Sequence, residues 1–99
     1  MKDVLRGEIK EVITKFMEKS RESKMLGILV REVNNELSDS NRCFVHNVEF
    51  GLGTGVRLWV KCEEVYIVPI DEPVGVDEMI DKAETYNVAK VDRHFIPFK

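Results

Sequence analysis

Apolar side chains recur at three- and four-residue steps through Leu5, Ile9, Val12, Ile13, Phe16 and Met17. That period gathers them on one stripe and predicts an amphipathic helix over residues 3–19. Asp3 stands where an N-cap carboxylate would accept first-turn amides, Lys19, Arg21 and Lys24 crowd the end that favours cations, and Glu11 with Lys15 forms a pair on the wet side. The next stretch, residues 25–37, fits two periods. Leu26, Leu29, Val30, Val33 and Leu37 would line a helix, yet the dense branched residues, interior Gly27 and the polar run from Asn34-Asn35 to Ser38-Asp39-Ser40-Asn41 favour a strand closed by a loop. A helix there would give two helices followed by a hairpin, the outline of a winged DNA-binding domain without its third helix.

Two strands are expected from Cys43 to Phe50 and from Val56 to Cys62. On the first, Phe44, Val48 and Phe50 are assigned to one face; on the second, Val56, Leu58 and Val60 alternate against Arg57, Trp59 and Lys61. The link Gly51-Leu52-Gly53-Thr54-Gly55 permits a tight reversal and predicts a hairpin. A phosphate-binding role for these glycines would need a helix after them, and a strand follows instead. Val65 to Ile70 reads as a further strand, with Pro69 suited to an edge or a strand end, where the sheet is expected to stop. Gly75 and Asp77 open a short second helix with Val76, Met79, Ile80 and Ala83 inward, Tyr86 at its edge and Asn87 as its stop; Val88 to Phe98 alternates as a closing strand. The expected fold is therefore α+β: an N-terminal amphipathic helix, a mainly antiparallel sheet of four to five strands, a second short helix and a C-terminal strand, in one domain spanning residues 1–99. Helices would cover one sheet face. The other would carry Trp59, Tyr66 or Val68, and Phe95 as apolar surface for a partner or a second copy.

Composition narrows the function little. The 99 residues carry a formal charge of −3, which is not the bulk basicity of a general nucleic-acid binder. Its distribution is uneven, with a net +2 over residues 1–24, balance over 25–62 and −5 over 63–99. No window approaches a membrane span and charges recur from the N-terminus, so a cytoplasmic protein with no membrane partner is expected, its Cys43 and Cys62 reduced and packed rather than bridged.

Candidate chemistry is sparse. Cys43, His46, Cys62 and His94 supply four potential zinc ligands, but Cys43 and His46 fall at an odd strand offset and no paired knuckle is present, so neither a metal nor another cofactor is expected. Asp92 and His94 share a strand face without a nucleophile motif, and no catalytic residue is assigned. The sharpest charged feature is Asp77, Asp81 and Glu84, which a continuous helix would stack along its outer face as a docking strip for a basic surface. The leading expectation is a small non-enzymatic interaction or regulatory protein, an inhibitor of a basic, nucleic-acid-binding partner through this strip. The alternative is direct nucleic-acid binding through Arg6 and Lys10 on the first helix and the Arg57, Trp59 and Lys61 strand face, where an aromatic lies between cations. The acidic reading requires that its carboxylates project into water without lysine or arginine partners from the same chain.

Overall fold

The computed structural model describes residues 2–22, 24–50, 55–71, 73–87 and 89. Helices α1 (Arg6–Ser20) and α2 (Leu26–Glu36) precede strands β1 (Phe44–Phe50), β2 (Val56–Lys61) and β3 (Val65–Ile70), followed by helix α3 (Val76–Lys82) and strand β4 (Glu84–Tyr86). The four strands form an antiparallel sheet in sequence order. The α+β class, with helix first and an antiparallel sheet, is as the periodicities predict. No helix among the described residues is long and apolar enough to cross a membrane.

Helix α1 buries Ile9, Val12, Ile13 and Phe16, together with Leu5 just before it. Its N-cap is Leu5 rather than Asp3, which pairs with Arg6 instead. Glu11 accepts the backbone N–H and the hydroxyl of Ser38 at 2.6 and 2.7 Å, while Lys15 pairs with Glu18. These bonds from Ser38 hold the Glu11 carboxyl below its ordinary pKa, and the Arg42 guanidinium does the same to Glu8.

Residues 26–36 form a helix, correcting the strand expectation. The short apolar run satisfies both periods, and tertiary packing decides between them: Leu29 and Val33, four residues apart, enter the core, and Leu26, Val30 and Leu37 pack against it. Helices α1 and α2 lie against one another, α1 also meets α3, and all three cover the same sheet face. On that face stand Val45 and Val48 from β1, Val56, Leu58 and Val60 from β2, and Tyr66, Val68 and Ile70 from β3.

The grouping of Phe44 with Val48 and Phe50 needs correction at its first member. The register shifts between Val45 and Asn47, and the irregularity places Val45 and Val48, three apart, on the core side while Phe44 stays exposed. Strand β1 is an edge of the sheet. At Val45 the Asn34 side chain of α2 acts as a surrogate neighbour, its Nδ2 donating to the Val45 carbonyl at 3.0 Å and its Oδ1 accepting the Val45 N–H at 2.7 Å. Asn47 Oδ1 accepts the Val48 N–H at 2.8 Å. Both contacts consume groups that an added strand would use. Asn34→Ala is expected to lower the unfolding free energy by about 2 kcal/mol, because two part-buried backbone groups lose their partner. Urea melts check the loss, and light scattering checks the greater self-association of an opened edge; a variant that melts with the parent would show that Asn34 does not hold the strand.

The sheet continues past β3, contrary to the expected stop at Pro69. Strand β4 pairs only with Val65, Tyr66 and Ile67, so the proline's missing N–H falls beyond that ladder. Helix α3 ends at Lys82, and the turn at Ala83 sends Glu84–Tyr86 into β4. Tyr86 and Asn87 therefore do not close a helix. The expected strand over 88–98 lies outside the described residues, apart from Ala89.

Cys43 and Cys62 are joined by a disulfide, correcting the expectation of free thiols. They sit one position beyond the Phe44–Lys61 pair, facing each other across the open end of the β1–β2 hairpin. Joined sulfurs are no longer thiolate ligands, so the four-ligand zinc arrangement fails at two of its members.

Candidate functional site

The residues picked out for the two rival functions meet one another. Helix α1 runs beside α3, and Arg6 Nη2 reaches Asp81 Oδ1 at 2.6 Å while its Nη1 lies 3.7 Å from Asp77 Oδ1. Lys10 Nζ stands 3.6 Å from Asp77 Oδ2. Arg6 also bonds the Asp77 carbonyl at 3.3 Å, and Lys2 donates to the Asp81 and Ala83 carbonyls, both at 3.2 Å, at the end of α3 where a cation is favoured. The hydrogen bonds that Arg6 makes to the Asp81 and Asp3 carboxylates raise its pKa above the usual value. Two of the three carboxylates of the expected acidic strip are thus partnered by the basic residues expected to contact nucleic acid.

Glu84 leaves the strip altogether. It belongs to β4, where its carboxylate accepts the Tyr86 hydroxyl at 3.2 Å, so the stacking of all three acids on one helix is corrected. That same carboxylate raises the Tyr86 pKa.

The strand face of the nucleic-acid alternative is also altered by packing. Arg57 is exposed and lies 4.0 Å from Glu49, and Lys61 is half-buried. Trp59 between them is 2 % exposed, packed with Val65, Ile67 and Tyr86, its ring meeting Tyr86 edge-on at 5.4 Å between centroids. A base has no open indole face to stack on. Tyr66 and Val68, offered as exposed alternatives, are core residues. Burial pushes the Tyr66 phenol up to about 12, helped by Glu64, which accepts its hydroxyl at 3.3 Å. Beside this face a cleft of about 310 Å³ is lined by Arg57, Ile67, Pro69, Lys82, Glu84 and Tyr86. Asp92, His94 and Phe95, and Gly51 to Thr54 of the glycine link, lie outside the described residues.

The feature that sequence reasoning missed is at the opposite end of the sheet's apolar layer. There the last turn of α1, the first turn of α2 and the ends of β1, β2 and β3 converge around a cleft of about 230 Å³. Its apolar lining is Phe16, Leu26, Leu29, Phe50, Val56 and Ile70, and Ser20, Glu22 and Lys24 stand at its rim. Phe50 is 71 % exposed; Met25, the N-cap of α2, is 74 % exposed, and Ile28 one turn on is 42 % exposed. Ile28, an apolar residue out of phase with the Leu26-Leu29-Val33 stripe, is not part of the cleft lining.

The chain matches no family model, no curated protein and no solved structure.

Proposed function

We propose that this chain is a non-enzymatic protein-interaction module that binds another protein through the apolar cleft whose mouth carries Phe50. The observation that carries the reading is Phe50, 71 % exposed and lining a cleft otherwise walled by core and partly buried apolar residues. Scattered surface apolar residues are ordinary, but a concave apolar surface bordered by charges has the anatomy of a protein interface. Its volume of about 230 Å³ is below the roughly 300 to 1,000 Å³ of small-molecule pockets and suits an inserted side chain. Strand addition at the β1 edge is disfavoured by the Asn34 and Asn47 contacts.

The acidic strip is the weaker docking surface of the two. Asp77 and Asp81 would have to give up Arg6 and Lys10 before meeting a basic partner. The disulfide weighs against the cytoplasmic location expected from the sequence, since reducing compartments keep such thiols open.

Photo-cross-linking discriminates between the surfaces. A benzophenone amino acid placed at Ser20, at Phe50 or at Asp77 in separate preparations is expected to yield the same adduct from the first two positions, both of which line the cleft, and none from the third. Adducts formed only from position 77 would return the role to the acidic helix and refute the apolar end.

A further inference from the structure

We infer that the cleft of about 310 Å³ on the outer sheet face binds a small aromatic monocarboxylate, its ring against Ile67, Pro69 and Tyr86 and its carboxylate between Arg57 and Lys82. This site shares no lining residue with the cleft at Phe50 and does not depend on the docking reading. It follows from the shortness of β4. Arg57 of β2, Ile67 and Pro69 of β3, and Glu84 and Tyr86 of β4 fall on the face opposite Leu58, Val68 and the helices. Strand β4 pairs with β3 only at Val65, Tyr66 and Ile67, so beyond Ile67 no described strand flanks that edge. Pro69 has no N–H to leave unpaired there, and the end of α3 sets Lys82 beside the gap.

The volume lies at the lower bound of the roughly 300 to 1,000 Å³ typical of small-molecule sites, which suits a compound of one ring. Ile67, Pro69 and Tyr86 are half-buried, and the Tyr86 phenol offers an aromatic ligand an offset or edge-on contact. Arg57 and Lys82 are exposed. Their carboxylate contacts among the described residues, to Glu49 at 4.0 Å and to Glu78 at 3.8 Å, are longer than hydrogen bonds. Exposed pairs of that kind are worth little, and a ligand carboxylate that takes two parallel hydrogen bonds from the guanidinium displaces them. Glu84 is the one acid of the lining, and its carboxylate accepts the Tyr86 hydroxyl at 3.2 Å. Two cations and one acid leave the walls with a net positive charge. A single carboxylate matches it, a neutral ligand leaves it unmet, and a dianion meets repulsion from Glu84 and from Glu49 and Glu78 behind the cations.

The chain's single tryptophan supplies the signal, because Trp59 meets Tyr86 edge-on at 5.4 Å and Tyr86 lines the cleft. In heteronuclear NMR titrations of the full chain, phenylacetate is expected to shift the Trp59 indole N–H and the Tyr86 amide resonances. It should bind at least about tenfold more tightly than its neutral amide, phenylacetamide, and more tightly than phenyl phosphate. Arg57→Gln combined with Lys82→Gln is expected to bring phenylacetate down to the affinity of the amide, in a chain whose urea midpoint stays that of the parent. Equal affinities for acid and amide, or phenylacetate binding untouched by the double change, would overturn the assignment. So would shifts confined to the cleft around Phe50, or no shift with any of these probes at millimolar concentration. Tighter binding of phenyl phosphate, or of phenylalanine with its added ammonium, would overturn the monocarboxylate class. None of these failures bears on the photo-cross-linking at Ser20 and Phe50, so the docking reading stands or falls separately.

Discussion

Reducing the Cys43–Cys62 bond is expected to lower the unfolding free energy by about 3 kcal/mol. The two cysteines are 19 residues apart, and in the chain-entropy account a cross-link closing a loop of that size removes about 3 kcal/mol of conformational freedom from the unfolded chain. The folded side has little to relax. Cys43 is buried, its N–H is accepted by Asn41 Oδ1 at 2.7 Å, and Asn41 Nδ2 donates to the Glu8 carbonyl of α1 at 3.1 Å, so the start of β1 stays anchored when the bond opens. The loss should therefore appear as a lower urea midpoint in a chain whose far-ultraviolet spectrum is unchanged under native conditions. Melts with and without a phosphine reductant make the comparison. Cys43→Ala combined with Cys62→Ala should fall further than the reduced parent, because truncating Cys43 also empties part of the core. Identical midpoints in oxidised and reduced samples would mean that the bond does not restrain the unfolded chain.

The bond also illustrates what local pattern could and could not reveal. The alternation in β2 placed Val56, Leu58 and Val60 on one face, and extending the hairpin register brought the two cysteines near each other, but proximity does not decide between thiols and a bridge. The stripe of α1 was legible because six apolar residues over several turns satisfy a helical period and no other. The run after it is shorter, and its period becomes unambiguous only when α1 and β1 supply surfaces for Leu29 and Val33. Phe44 was misplaced because a bulge is a single-residue irregularity that leaves the apolar pattern nearly unchanged.

The charges were misjudged for a related reason. Counting them along the chain isolates a positive N-terminal third and a negative C-terminal third, and each looks available to a foreign partner. The fold sets α1 beside α3, and the two thirds partly neutralise one another through Arg6, Lys10, Asp77 and Asp81. Exposed pairs of this kind add little to stability, yet they remove charge from the recognition surface. At the other end the local acids are spent on Lys19 and Lys24, and Phe50 is left exposed where it lines the apolar cleft.

Leu29→Ala is expected to destabilise the chain by about 3 kcal/mol, and Ile28→Ala, one residue earlier, by less than about 1 kcal/mol. Leu29 is 4 % exposed within the core cluster, so its truncation removes buried methyl groups and leaves a cavity; Ile28 is 42 % exposed and gives up mainly contact with water. Extending the scan settles the period. A helix predicts losses at Leu29 and Val33, smaller ones at Leu26 and Val30, and little at Arg31, whereas a strand would place Arg31 on the face of Leu29 and Val33 and would make Leu26, Ile28 and Val30 rise and fall together. Losses that alternate strictly with odd and even positions in urea melts would refute α2 as drawn. A wider scan separates folding from recognition: at Leu29, which lines the cleft, stability and partner capture should fall together, while Phe50→Ala should weaken capture in a chain that unfolds almost where the parent does, because an exposed apolar side chain that the fold needs least is the one left for a partner.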